Sequence, residues 1–315
     1  MKKILIVGAG GQIGSELTSH LRKIYGANNV VASDVRDSLN FAIDGPYEKL
    51  DVLDATALAF IVHKYSIDSI YNLVALLSAT GEANPMLAWK INMGALINCL
   101  EVSKNFGCSV FTPSSIGAFG NTTPKDNTPQ DTIMQPNTIY GVCKVTGEML
   151  GNYYFERFGV DARSVRFPGL ISNVALPGGG TTDYAVEIFY AAIRDGKFTC
   201  NVPKENFMDM MYMPDALDAC VNLMEADASK LIHRNSFNIA SLSFNPPVIF
   251  EAIKKRIPSF EMDYNIDSVK AAISSSWPNK LDDACARQEW DWAPKWDMDA
   301  MVDDMLLAIR KKLGK

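Results

Sequence analysis

The chain opens with a short unbroken apolar run followed by an amphipathic one. Ile4-Leu5-Ile6-Val7 carries no polar interruption, the mark of a strand buried on both faces. After Gly8-Ala9-Gly10-Gly11-Gln12-Ile13-Gly14, apolar residues recur at Ile13, Leu17 and Leu21, a spacing that predicts a helix with one buried face. Val30-Val31-Ala32 predicts a second strand that ends at Asp34. Further strands are predicted at residues 69–73, 109–111 and 162–165, separated by helix-length segments such as 85–105 and 141–158. Strands alternating with helices imply an α/β fold, a doubly wound parallel sheet covered on both faces.

After Arg166 the regular alternation breaks. Pro177-Gly178-Gly179-Gly180 reads as a loop, with the glycines at 178 to 180 a candidate hinge, and Pro246-Pro247, Pro258, Pro278 and Pro294 punctuate the last third. This region reads as a smaller, irregular lobe. A strand expected near residues 207–213 returns to the first sheet, so the two lobes interleave.

The sequence has 315 residues, 48% hydrophobic and 21% charged, enough apolar material for a large core. Its 30 basic and 36 acidic residues give a net charge of -6, which argues against nucleic acid or an anionic membrane as the main partner and favours a small soluble ligand. No apolar run approaches the roughly 18 residues of a spanning helix, and Met1-Lys2-Lys3 precedes too few apolar residues for a secretory signal. A cytoplasmic location is expected, or the mitochondrial matrix for a processed eukaryotic form. Cys99, Cys108, Cys143, Cys200, Cys220 and Cys285 form no C-x-x-C pair, and His20, His63 and His233 lie near none of them in sequence. The expectation is free, mostly buried thiols and no metal site. Met208, Met210, Met211 and Met213 read as packing, and Trp277, Trp290, Trp292 and Trp296 as core of the small lobe.

Two constellations carry chemistry. Gly8, Gly11 and Gly14 stand between a predicted strand and a predicted helix, where a phosphate can approach bare backbone N–H groups at the positive helix end. Asp34 closes the second strand 20 residues beyond Gly14, placed to accept hydrogen bonds from an adenosine ribose. Its charge repels a 2′-phosphate, so the dinucleotide expected is NAD, and Arg36 is read as a solvated charge. The second constellation is Tyr140 and Lys144, whose i, i+4 spacing puts both on one helix face. An isolated tyrosine titrates near about pH 10, and a neighbouring ammonium favours the phenolate a general base requires. Ser114 and Ser115, just past the strand at 109–111, fall at the carboxyl end of the sheet, where such folds bind ligands.

These features, with Asp51-Val52 and Asn92, resemble the extended short-chain dehydrogenase/reductase superfamily, which includes the UDP-sugar epimerases. Within it the chain resembles the NAD-dependent L-threonine 3-dehydrogenases of the short-chain type at LSATGE (77–82), TPSSIGAFG (112–120), RFPGLIS (166–172), PGGGTTDYAV (177–186), MMYMPD (210–215) and Trp277-Pro278 with Asp282-Asp283. Ser115 and Phe167 depart from the threonine and tyrosine more usual there.

The resemblance implies a Rossmann domain at 1–166 with 205–240 and a substrate lobe at 167–204 with 241–315. It implies oxidation of the β-hydroxyl of L-threonine to 2-amino-3-ketobutyrate without metal. Tyr140 is then the base, Lys144 its activator and a ligand of the nicotinamide ribose, Ser115 the residue that orients the substrate oxygen, and Asn92 an organiser of the site. The cofactor contacts implied are Gly8, Gly11, Gln12, Ile13, Gly14, Asp34, Asp51, Val52, Leu73, Ala75, Asn92, Tyr140, Lys144, Phe167, Pro168 and Leu170. A zwitterionic substrate demands donors for its carboxylate and acceptors for its ammonium. Ser78, Thr80, Ser114, Thr181, Thr182 and Asp183 fit that demand by type, although Thr182-Asp183 reads equally well as a helix N-cap. The helices at 85–105 and 141–158 are expected to pair two copies as a homodimer. The alternative function is an NAD-dependent nucleotide-sugar 4-epimerase or dehydratase; residues 174–183, rich in glycine and free of Arg and Lys, favour a compact substrate instead. A non-catalytic NAD sensor would need the glycine turn without the Tyr/Lys pair.

Overall fold

The computed structural model describes residues 2–40, 44–176, 178 and 180–315; Pro177 of the expected loop and Gly179 of the expected hinge lie outside them. The Rossmann half contains β1 (Ile4–Val7), α1 (Gln12–Tyr25), β2 (Val30–Asp34), β3 (Tyr47–Lys49), α2 (Ala55–Tyr65), β4 (Ser69–Asn72), α3 (Ser78–Ala83), α4 (Pro85–Phe106), β5 (Ser109–Phe111), β6 (Ser114–Ser115), α5 (Ile139–Phe158) and β7 (Ala162–Arg163). Six strands pair in the order β3-β2-β1-β4-β5-β7, all parallel. The order reverses between β1 and β4, and the crevice at their carboxyl ends is where such sheets bind ligands.

Burial follows the period of two along β1. Ile4 and Ile6 pack with Leu17 and Leu21 of α1 on one face, while Leu5 and Val7 pack with Leu58 and Val62 of α2 and Leu96 and Leu100 of α4 on the other. Local chemistry sets the helix ends. Asp54 accepts from the N–H groups of Thr56 and Ala57 to start α2, Thr138 accepts from Gly141 to start α5, and Gly107 and Gly159 end α4 and α5 at φ of 72° and 71°.

The rest of the chain comprises β8 (Val165–Phe167), β9 (Gly169–Ile171), α6 (Tyr184–Arg194), β10 (Lys197–Cys200), β11 (Met208–Tyr212), α7 (Met213–Glu225), β12 (Phe237–Asn238), β13 (Leu242–Phe244), α8 (Pro246–Lys254), β14 (Glu261–Tyr264), α9 (Ser268–Ser274), α10 (Ala284–Trp290) and α11 (Met298–Leu313). The strand expected at 162–165 runs on as three short pieces that serve three sheets in turn. β7 closes the main sheet, β8 pairs with β6 and β12, and β9 pairs with β11. Pro168, which has no N–H to donate, separates β8 from β9.

This topology corrects the expectation that a strand near 207–213 rejoins the nucleotide-binding sheet. β11 lies instead between β9 and β13 in a separate sheet, and the chain returns to the Rossmann layer as α7, whose Ala216 and Leu223 share a core with α1. A second correction concerns the tryptophans. Trp277 and Trp296 pack with the small lobe, but Trp290 and Trp292 pack with Ile4, Ile6 and Phe237 beneath the main sheet. The four methionines of the 208–213 segment are fully buried.

One buried ion pair ties the layers together behind the crevice. Arg166 on β8 and Glu148 on α5 meet at 2.8 Å, each side chain 5% exposed. Arg166 also donates to the Gln130 carbonyl at 2.8 Å and to Asn238 Oδ1 at 3.0 Å. With the remaining lone pairs and N–H groups satisfied, the pair costs little to bury, whereas deleting one partner would strand the other at about 3–5 kcal/mol.

Candidate active site

The glycine turn is shaped by contacts that no side chain could share. Gly8 has φ +85°, and a Cβ on Gly14 would stand 2.3 Å from the Gly8 carbonyl oxygen. A Cβ on Gly10 would stand 2.0 Å from the Arg36 guanidinium and 2.8 Å from Asp34 Oδ2. Asp34 is 7% exposed. Its carboxylate accepts from the Gly10 N–H at 2.9 Å, from Arg36 Nε at 2.9 Å and from Arg36 Nη2 at 3.2 Å. Burial pushes this carboxyl upward, but the Arg36 and Gly10 hydrogen bonds outweigh it and hold the group below the ordinary aspartate value. Arg36 is the solvated charge expected of it, with more than half of its side chain exposed, and it is at the same time the partner of the buried carboxylate.

A groove of about 960 Å³ runs past Gly10, Gly11, Gln12, Ile13 and Gly14, along Leu73, Ala75 and Thr80. It meets a second pocket of about 150 Å³, to which Gln12, Ile13, Leu73 and Ala75 also belong. A bare helix start beside a buried, anchored carboxylate is a donor set that fits a dinucleotide. Glu16, which no motif singled out, lines the groove; burial raises its carboxyl, against hydrogen bonding from Ser172 and the charge of Lys312. Asp51 and Val52 stand outside both linings: Asp51 accepts from the Leu53 N–H at 3.0 Å, and Val52 is buried in the core.

The smaller pocket gathers the chemical residues. Tyr140, Lys144, Ser115, Ser78, Phe167, Pro168, Leu170, Thr181, Thr182 and Asp183 all line it, and Trp277 closes one wall. Tyr140 and Lys144 project from the first two turns of α5, with the Lys144 ammonium 5.2 Å from the Tyr140 ring centre. Lys144 Nζ donates to the Pro113 carbonyl at 2.6 Å, which fixes its reach. The Tyr140 ring lies over Gly117, where a Cβ would be 3.0 Å from the ring edge. Ser115 Oγ accepts from the Gly117 N–H at 3.0 Å, so its hydroxyl hydrogen remains to be donated into the pocket. Ser114 lines the pocket as well, but its hydroxyl is engaged in donating to Glu148.

Asn92 lies outside this pocket. Its amide clamps the backbone of Leu76 from both sides, accepting from the N–H at 2.8 Å and donating to the carbonyl at 3.2 Å. It positions the 73–77 segment that both cavities share. The N-cap reading of Asp183 fails on geometry: its side chain makes no bond to the start of α6 and instead accepts from the Gly180 N–H at 2.7 Å. Thr181 is 1% exposed and its hydroxyl has no hydrogen-bond partner among the described residues. A buried orphan hydroxyl on a pocket wall is a polar group waiting for a ligand.

Set beside known proteins, the chain matches the NAD dependent epimerase/dehydratase family over residues 4–240, and it belongs to that family. An uncharacterized epimerase/dehydratase of Staphylococcus aureus (strain USA300) is 52% identical to it over 99% of this chain and 98% of its own. The X-ray structure of L-threonine dehydrogenase from Clostridium difficile superimposes with a TM-score of 0.97 at 52% identity, over 99% of this chain and 98% of that one. The GalE-like L-threonine dehydrogenase from Cupriavidus necator, in its holo form, gives 0.95 at 47% identity over 98% and 99%. A UDP-glucose 4-epimerase from Thermotoga maritima shares the fold, with a TM-score of 0.83 at 21% identity. The expected fold class and family are borne out. Among the described residues, no helix is long and apolar enough to cross a membrane.

Proposed function

We propose that the chain is an NAD-dependent dehydrogenase that oxidises the β-hydroxyl of L-threonine to 2-amino-3-ketobutyrate. The observation that carries this reading is the small pocket beside Tyr140. At about 150 Å³ it falls below the roughly 300–1,000 Å³ of sites for drug-sized ligands. Among its described lining residues Lys144 is the one cationic side chain and Asp183 the one carboxylate, a balance suited to a zwitterion and poorly suited to a diphosphate.

In this reading Ser115 donates to the substrate oxygen and Tyr140 accepts the hydroxyl proton. The Lys144 ammonium, held by the Pro113 carbonyl, stabilises negative charge on the phenolic oxygen. NAD, when bound along the glycine turn with its adenosine ribose at Asp34, supplies the hydride acceptor. Thr181 and Thr182 donate to the substrate carboxylate and Asp183 accepts from its ammonium, while Ser78 completes the pocket's polar lining. Phe167, Pro168 and Leu170 exclude water from the reacting carbon. Asn92 acts through the backbone it clamps. The curated relatives carry the name epimerase/dehydratase, and the competing reading is sugar-nucleotide chemistry with the same base. Mixing protein, NAD and L-threonine and following NADH absorbance tests the two: net NADH supports the dehydrogenase, and turnover of UDP-galactose without net NADH overturns it.

The reading extends to a homodimer through α4 and α5. Met86, Trp89 and Ile97 on α4 and Val142, Met149 and Tyr153 on α5 are exposed apolar residues at helical spacings, on helices that pack together. Light scattering should give twice the chain mass, and Met149→Glu should halve it; a monomer in the unsubstituted protein overturns the pairing.

A further inference from the structure

The expectation of no metal site rested on sequence distance, and the fold brings the distant residues together. Among the described residues, one group of His, Cys, Asp and Glu side chains has its ligating atoms within 4.8 Å of one another: His233, Cys285 and Glu289. Asp131 approaches the same group, its Oδ2 at 3.5 Å from His233 Nε2. None of the four lines either cavity of the active site.

We propose that His233, Cys285 and Asp131 form a binding site for a divalent transition-metal ion of the zinc class, with Glu289 orienting the histidine. Glu289 already has its own work: one oxygen accepts from the N–H groups of Ile232 at 2.6 Å and His233 at 3.0 Å, and the other bonds His233 Nδ1. A carboxylate on one ring nitrogen of a histidine directs the other nitrogen, as a lone pair, toward a metal. That other nitrogen, Nε2, faces Cys285 Sγ at 3.9 Å and Asp131 Oδ2 at 3.5 Å. Zinc bonds of about 2.0–2.3 Å at tetrahedral angles hold neighbouring ligand atoms about 3.3–3.7 Å apart. Measured from Nε2, the oxygen stands at that distance and the sulfur a few tenths of an ångström beyond it; Asp131 lies outside the 4.8 Å group, and its exposed side chain would turn toward Cys285 to complete the set.

The donor chemistry selects the ion. Thiolate with imidazole favours zinc, cobalt or nickel over magnesium or calcium. Cys285 is the one cysteine of the six that is not buried, and it shares a face of α10 with Glu289 at i, i+4. The ion would join three segments remote in sequence: the loop that carries Asp131, the turn at His233 and α10. That seam already holds Gln130, whose amide donates to the Ser236 carbonyl and accepts from the Asn238 N–H, each at 2.8 Å. Three protein ligands leave a fourth position for water, which makes this a staple of moderate affinity.

The test is a titration of chelator-treated full-length protein with Co²⁺, followed by Zn²⁺ competition. A thiolate-to-cobalt charge-transfer band saturating at one equivalent and bleached by Zn²⁺ is expected. Cys285→Ser should abolish the band, Asp131→Asn should weaken Co²⁺ binding, and Glu289→Gln should weaken it about 10–100-fold. Asp131 is 88% exposed, so that variant keeps its fold. Zn²⁺ should raise the melting temperature of the parent protein and leave that of Cys285→Ser unchanged. No charge-transfer band in the parent, or an equal band in Cys285→Ser, overturns the proposal.

Discussion

Arg36 grips the buried Asp34 carboxylate through two nitrogens, at 2.9 and 3.2 Å, and so occupies the carboxylate that a dinucleotide ribose would also address. The Arg36 side chain is more than half exposed, but the anchored carboxylate beside it repels a 2′-phosphate. Asp34→Ala removes the acceptor and releases Arg36. Hydrogen bonds to a charged acceptor contribute about 1.5–3 kcal/mol, so the NAD dissociation constant should rise roughly 10- to 150-fold. NADP binding should tighten. Fluorescence titration with both dinucleotides measures the ratio, and an unchanged preference would remove Asp34 from the ribose site.

Tyr140→Phe keeps the ring that packs over Gly117 and deletes only the oxygen. Turnover should fall about 10²–10⁴-fold, the range of a general base, with NAD affinity close to that of the parent. Normal turnover would disprove the base assignment, and it would also revive the NAD-sensor reading.

Thr181→Val separates substrate binding from folding. The hydroxyl is buried without a partner, so replacing it with a methyl leaves stability unchanged or raises it by up to about 1–3 kcal/mol. If the hydroxyl holds the substrate carboxylate, the KM for threonine should rise several-fold with NAD binding unaffected. A stabilised variant with the parental KM would make Thr181 a wall residue only.

Asp209 on β11 is 1% exposed, and burial pushes its carboxyl from 3.8 up to about 7, against the Leu281 N–H that it accepts. Because the folded value is raised, the folded chain holds a proton that the unfolded chain releases between these two values. The contribution to stability therefore falls as pH rises from about 4 to about 7, by at most about 1.4 kcal/mol per pH unit, and is level above that. Asp209→Asn should flatten this slope, so its stability relative to the parent should be greater at pH 8 than at pH 5 in urea denaturation. Parallel curves across that interval would contradict the raised value.

Much of the site is readable from local pattern. The four-residue apolar run, the glycine spacing and the i, i+4 pair of Tyr140 and Lys144 each obey a steric or periodic rule that acts within one turn or one strand. The roles that escaped such reading are all long-range. Asn92 looks like any polar helix residue until its amide meets Leu76, and Ser114 and Ser115 both line the pocket but differ in that the Ser114 hydroxyl is spent on Glu148 while that of Ser115 only accepts from Gly117. Trp277 reads as core and is also a wall of the site.

The sequence by itself determined the alternation of strand and helix, the glycine turn with its carboxylate, and the presence of a tyrosine base with a lysine beside it, because backbone sterics and side-chain period act locally. The tertiary structure alone decided that β11 joins β9 and β13, that Arg36 closes on Asp34 and Arg166 on Glu148, and that His233 meets Cys285 across 52 residues of chain. Those outcomes depend on register and packing between segments far apart in the chain, where one slipped strand or a different sheet edge would assemble other neighbours.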